Sequence, residues 1–120
     1  MAKILVVDDS AMSRRILRRI LESASHDVIE ADDGIVAIEK YFLEKPDVVL
    51  LDLIMRGLAG LEVLHKIREM DHAARVVVAS ADIQHSTQAL MGEAGAVGFV
   101  TKPFTQEEII AAVESALKEH

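Results

Sequence analysis

Val48-Val49-Leu50-Leu51-Asp52-Leu53-Ile54-Met55 is an aliphatic run broken by a single acid. Four consecutive branched apolar residues without polar alternation fit a strand buried on both faces. Asp52 closes that strand, and the apolar character resumes beyond it, so a simple helix cap explains the acid poorly. The same design recurs along the chain. Ile4–Val7 meets Asp8-Asp9, Val76–Ala79 meets Ser80, and Val97–Val100 meets Thr101-Lys102. Val28–Ala31 is followed by Asp32-Asp33-Gly34, which reads as a turn and helix start.

Helical periodicity fills the intervals. Ile16, Leu17, Ile20 and Leu21 form one apolar stripe, with Arg14, Arg15, Arg18 and Arg19 pointing mostly elsewhere. Ile35, Ile38, Tyr41 and Phe42 repeat the pattern before Pro46 ends it. Leu61, Leu64 and Ile67 mark a third helix; Leu90, Met91 and Ala94 mark a fourth, with Gly95 as its stop. Thr105 and Glu108 form a capping-box pattern ahead of Ile109, Ile110, Val113 and Leu117, which are expected to face the core. Five strand–helix units predict an α/β fold with a parallel sheet, helices on both faces and right-handed crossovers, within one domain over residues 1–120.

Bulk composition narrows the function. The chain is 51% hydrophobic and 28% charged, enough for one core and too apolar for disorder. One Tyr and three Phe leave the core to Val, Ile, Leu, Ala and Met. A net charge of −7 argues against direct nucleic-acid binding. The absence of cysteine excludes disulfides, thiolate metal sites and a cysteine nucleophile. The apolar stretch at the N-terminus is too short for a signal-peptide core, and no segment has the length of a membrane span, so a cytoplasmic protein is expected. The five histidines show no ligand spacing.

In open α/β sheets, ligands bind outside the carboxyl ends of the strands. Four of the five strands deliver a polar group there: Asp8 and Asp9, Asp52, Ser80, and Lys102. Each alone has an ordinary explanation as a cap or a solvated side chain, but their joint occurrence at matching strand ends does not. At about 4 Å, each pair of carboxylates repels by roughly 4 kcal/mol at an effective dielectric near 20. Such a cluster needs a cation, and oxygen ligands without His or Cys suit Mg²⁺, or Mn²⁺ as a substitute. A fixed Lys and a Ser hydroxyl add a positive charge and a donor. The set suits phosphoryl transfer, in which an Asp carboxylate can be the nucleophile.

Four motifs in this order and spacing resemble the receiver domains of two-component response regulators, including stand-alone chemotaxis-type regulators: Ile4-Leu5-Val6-Val7-Asp8-Asp9-Ser10, Val48 to Met55, Ala79-Ser80-Ala81, and Gly98-Phe99-Val100-Thr101-Lys102-Pro103-Phe104. The likeness spans essentially the whole chain. It implies a flavodoxin-like sheet of order 2-1-3-4-5, the doubly wound arrangement in which the strand order reverses beside the first strand. It implies that Asp52 accepts phosphate from a sensor histidine kinase or a histidine phosphotransfer protein. Asp8 and Asp9 would hold Mg²⁺ with Asp52, Asp9 being the more direct ligand, and the backbone carbonyl of Ile54 would be a further ligand. Ser80 and Lys102 would contact phosphoryl oxygens, and Ser80 and Phe99 would form the switch. Lys102-Pro103 would be a cis peptide. The output would leave through the face of the fourth helix, fifth strand and fifth helix, with Gln84, Gln88 and Glu93 meeting a downstream partner or a second copy. The first-helix arginines are either a solvated face or a docking surface for the phosphodonor. The chain departs from the family pattern at Arg56, where Pro is usual, and at Ala59, where Asp is common, which suggests a freer loop after Asp52 whose positive charge helps bind acyl phosphates.

Three rival readings fare worse. A haloacid-dehalogenase-like phosphatase needs a second acid two residues after the nucleophile, where this chain has Ile54. A flavin or small-molecule module needs a phosphate-cradling loop after the first strand, where Asp8-Asp9-Ser10 would repel an anion. A receiver-like scaffold that no longer takes phosphate would be expected to lack site residues, and all five are present.

Overall fold

Each aliphatic run becomes a strand, and the strands are parallel. The structure is a computed structural model that describes residues 2–55, 59–81 and 85–119. Its elements alternate in the order β1 (Lys3–Val7), α1 (Ala11–Ser23), β2 (Asp27–Ala31), α2 (Gly34–Glu44), β3 (Val48–Leu51), α3 (Gly60–Met70), β4 (Val76–Ser80), α4 (His85–Glu93), β5 (Ala96–Thr101) and α5 (Gln106–Leu117). The sheet order is β2-β1-β3-β4-β5, as the resemblance implied. The register sets Val7 beside Leu51 and Ala31, and Ser80 beside Thr101, so the strand ends line up along one edge.

Because side chains alternate along a strand, the aliphatic runs feed two cores. Leu5, Val7, Val49, Leu51, Val76 and Val78 pack against Ala37 and Tyr41 of α2, Val63, Leu64 and Ile67 of α3, and Met91 of α4. Ile4, Val6, Val48, Leu50 and Val77 pack on the opposite face against Leu17 and Leu21 of α1 and Ile109, Val113 and Ala116 of α5. All four residues of β3 are buried, which is why that stretch contains no polar alternation. The helix boundaries follow local chemistry. The Ser10, Asp33 and Thr105 side chains accept hydrogen bonds from the Ser13, Val36 and Glu108 amides at the starts of α1, α2 and α5. At the start of α5 the Glu108 carboxylate accepts from the Thr105 hydroxyl, at 2.8 Å, a variant of the expected capping box. Gly95 follows α4 with φ +105°, the left-handed conformation that glycine permits, and its missing Cβ leaves room for the Arg68 side chain.

The helix faces differ in part from the expected stripes. Ile16, Ile35, Phe42 and Leu90 are exposed, Ile35 at 63% and Phe42 at 68%. In α2 the residues turned to the sheet are Gly34, Ala37 and Tyr41. Small side chains let that helix lie close, and the larger Ile35 and Phe42 are rotated outward. Ile110 and Leu117 of α5 are only partly buried. Among the described residues, no helix is long and apolar enough to cross a membrane.

Candidate functional site

The acids at the strand ends are held by the sheet itself. The Asp8 amide donates to the Ala31 carbonyl at 3.1 Å, and the Asp52 amide donates to the Val7 carbonyl at 2.9 Å. The Lys102 amide donates to the Ser80 carbonyl at 3.0 Å. Ladder bonding thus continues one residue past the strands, fixing these backbones while the side chains turn to the edge of the sheet. Burial there is deep: Asp8 is 1% exposed, Asp52 5% and Ser80 0%.

Asp8, Asp9 and Asp52 each offer a carboxylate oxygen, and the three oxygens lie within 4.8 Å of one another. At that separation each like-charged pair costs about 3.5 kcal/mol with an effective dielectric near 20. Lys102 relieves part of this, its Nζ lying 2.9 Å from Asp8 Oδ2 and 3.1 Å from Asp52 Oδ2. Burial is the largest influence on the Lys102 ammonium and acts to lower its pKa. The hydrogen bonds to Asp8 and Asp52 outweigh it, and the group is held above the ordinary lysine range. The other oxygens of Asp8 and Asp52 are ordered by backbone amides: Ser10 donates to Asp8 Oδ1 at 2.9 Å and Ile54 to Asp52 Oδ1 at 3.1 Å. Among the described residues, three carboxylates and one ammonium carry a formal charge of −2 (three negative, one positive). An all-oxygen donor set with that charge fits a hard divalent cation.

The structure brings Asp8, Asp9, Asp52 and Lys102 together and seats Ile54 beside them through its backbone amide. Ser80 ends β4 next to Lys102. Phe99 lies in register with Val78 and packs, partly buried, against the α2–α3–α4 side of the core. Lys102-Pro103 is cis, and the Lys102 ammonium lies 5.9 Å from the Phe104 ring centre. Ala59 precedes α3 without a side-chain cap, in keeping with the departure seen in the sequence. Arg56 and Gln84 lie outside the described residues.

Two contributors to this geometry carry no signal in the sequence. Gly60 opens α3 so close to the Asp52 turn that a Cβ there would sit 2.6 Å from Leu53 Cα and 2.8 Å from the Asp52 carbonyl. Arg14 donates from Nη1 to the Asp8 carbonyl at 2.7 Å and from Nε to Glu30 at 3.0 Å, with Arg18 joining Glu30 at 2.6 Å. Arg14 and Arg18 are therefore engaged, whereas Arg15 and Arg19 are exposed.

Comparison with known proteins matches residues 4–114 to the response regulator receiver domain. The chemotaxis protein CheY of Listeria monocytogenes is 36% identical over 119 residues, covering 98% of this chain and all of that one. CheY4 of Vibrio cholerae superimposes with a TM-score of 0.93 at 27% identity, over 98% of this chain and 99% of that one. A Borrelia burgdorferi CheY, solved as a CheX-CheY-BeF₃-Mg²⁺ complex, gives a TM-score of 0.94 at 31% identity, over 98% and 90%. With its fold, strand order and full-length match to stand-alone relatives, this chain belongs to the response regulator receiver domain family.

Proposed function

We propose that the chain is a phosphorylation-activated signalling switch whose phosphoacceptor is Asp52. The observation that carries this reading is the buried Asp8–Asp9–Asp52 cluster with Lys102 bridging two of its members. A sensor histidine kinase or a histidine phosphotransfer protein presents a phosphohistidine. An Asp52 carboxylate oxygen attacks the phosphorus in line, the phosphorus–nitrogen bond breaks, and the imidazole leaves with the electron pair. Return to the resting state is the hydrolytic counterpart: water attacks the phosphorus and the aspartyl oxygen leaves. Asp8, Asp9, Asp52 and the Ile54 carbonyl would hold Mg²⁺, or Mn²⁺ as a substitute, which supplies charge neutralisation for the phosphoryl oxygens. Lys102, which bridges Asp8 and Asp52 at rest, turns to a phosphoryl oxygen after transfer, and the Ser80 hydroxyl donates to another. The exposed Arg15 and Arg19, flanked by exposed Met12 and Ile16, suit α1 to dock the phosphodonor.

The signal leaves through α4, β5 and α5, where Gln88 and Glu93 are exposed and Phe99 sits on the strand between the helices. Drawing Ser80 toward the phosphoryl group makes room for Phe99 to turn inward. A hundredfold shift between two such packings needs only about 2.7 kcal/mol of differential stabilisation, within reach of one or two charge-assisted contacts. The recipient is a downstream protein or a second copy of the chain. Incubation with acetyl phosphate tests the chemistry: uptake is expected with Mg²⁺ and lost in excess EDTA, and undiminished uptake in EDTA refutes the metal role. NMR with and without beryllofluoride tests the output face. Changes confined to α1 and the turn after Asp52, with Ser80–Lys102 silent, refute it.

A further inference from the structure

The acidic cluster sits on a peptide plane held from outside the cluster. The Asp8 carbonyl belongs to the peptide that joins Asp8 to Asp9, so its direction fixes how the chain enters Asp9. That carbonyl accepts from Arg14 Nη1 at 2.7 Å, while the Asp8 amide is held by Ala31. Arg14 is itself anchored: its Nε donates to Glu30 Oε1 at 3.0 Å, and Arg18 Nε occupies Glu30 Oε2 at 2.6 Å. Burial is the largest influence on the Glu30 carboxyl and acts to raise its pKa, but the bonds from Arg18 and Arg14 hold it below the usual range. From α1, Arg14 thus links Glu30 of β2 to the backbone of the acidic cluster, whereas the bonds of Arg18 go to Glu30 and Glu22.

We infer that Arg14 is a positioning residue for the cation site, orienting the Asp8–Asp9 peptide so that the Asp9 carboxylate is preset toward Mg²⁺. The inference rests on the metal reading given above. Supporting residues around a metal's ligands commonly change affinity ten- to a hundredfold when removed. The direction of the effect separates positioning from charge. A guanidinium near a dication repels it, so loss of the charge alone would tighten Mg²⁺ binding, whereas loss of positioning weakens it.

Mg²⁺ titration of the unphosphorylated chain, followed by amide chemical shifts, reads both folding and Kd. Arg14→Ala is expected to raise the Mg²⁺ Kd about tenfold. Arg18→Ala, which also removes a cation from Glu30 but touches no part of the acidic cluster, should stay within about twofold of wild type on the same reasoning. Arg14→Lys keeps the charge and reaches one acceptor at a time; its Kd should fall between wild type and Arg14→Ala, and it serves as the decisive variant if Arg14→Ala does not fold. Unchanged or tighter binding in Arg14→Ala, or equal weakening in Arg14→Ala and Arg18→Ala, overturns the inference. For Arg14→Lys, a Kd no weaker than wild type does the same. A wild-type chain with no saturable Mg²⁺ response overturns the metal reading and the inference with it, a result distinct from wild-type binding that Arg14 does not affect.

Discussion

Replacing Lys102 by Met removes a cation that bridges two of the buried carboxylates, Asp8 and Asp52, while keeping much of the side chain's apolar length. Two charge-assisted hydrogen bonds are lost, at 2.9 Å to Asp8 and 3.1 Å to Asp52, and both acceptors are almost fully buried. Breaking one partner of a buried ion pair costs about 3–5 kcal/mol. The Lys102 side chain is 22% exposed, so water can enter in its place and the lower end applies, about 3 kcal/mol. For 120 residues, an unfolding entropy of about 0.25 kcal/mol/K converts this to a Tm lower by about 12 °C in EDTA. The Lys102 pKa is raised on folding, so its contribution is fully present below the ordinary lysine value and is lost only as pH rises through the folded one. Measurement at neutral pH therefore captures all of it. Loss of the ammonium also removes a competitor for the carboxylates, so Mg²⁺ should stabilise the variant more than wild type by at least about 1.4 kcal/mol, the equivalent of a tenfold tighter Kd. Thermal unfolding of both proteins in EDTA and in saturating Mg²⁺ checks both terms. Equal Tm values in EDTA, or a deficit that Mg²⁺ leaves unchanged, would refute the electrostatic reasoning.

Three further outcomes follow from the surroundings of the site. Gly60→Ala places a Cβ against the backbone of the Asp52 turn, and denaturant unfolding should show a loss of about 1–3 kcal/mol together with slower phosphoryl uptake; unaltered stability would show that α3 shifts freely. Ala59→Ser supplies the cap that α3 lacks and should add about 0.5–1 kcal/mol in the same assay, a gain whose absence argues that the backbone entering α3 cannot present a side chain to its amides. Tyr41→Phe removes the hydroxyl that donates to Asp71 Oδ2 at 2.8 Å and should cost about 1 kcal/mol at pH 7, toward the low end because Asp71 is partly exposed. The Tyr41 bond is the main cause of the lowered Asp71 pKa, so the Asp71 contribution is present above the unfolded carboxylate value of about 4 and is lost as pH falls through the folded one. The difference between Tyr41→Phe and wild type should shrink correspondingly in acid, and a pH-independent difference would remove that linkage.

The three central strands were legible because β1, β3 and β4 are buried on both faces, and only unbroken runs such as Val48–Leu51 satisfy that; the half-exposed edge strands β2 and β5 follow from the spacing of the units between them. The acidic cluster was legible for a related reason: parallel strands all end on one edge, so a charged residue just past each run is brought to one place. The helix faces were less so. A stripe containing Ile35 and Phe42 looks like a core face, but Gly34 and Ala37 can approach the sheet more closely, and small residues leave no mark in a hydrophobic pattern. The sequence pattern places Arg14 on a surface or docking face, because its partners lie on β2 and just past the end of β1, and their adjacency is a property of strand order that periodicity does not encode. Gly60 is silent in the same way, since its need arises from a turn seven residues earlier in the chain meeting the start of α3.

Intact-mass spectrometry after incubation with Mg²⁺ and acetyl phosphate or phosphoramidate tests the central claim most directly. Wild type should gain a single phosphoryl group, and Asp52→Asn, which keeps the shape of the side chain without its nucleophilic charge, should gain none. A chain that takes no phosphoryl group, or an Asp52→Asn variant modified as readily as wild type, would contradict the account.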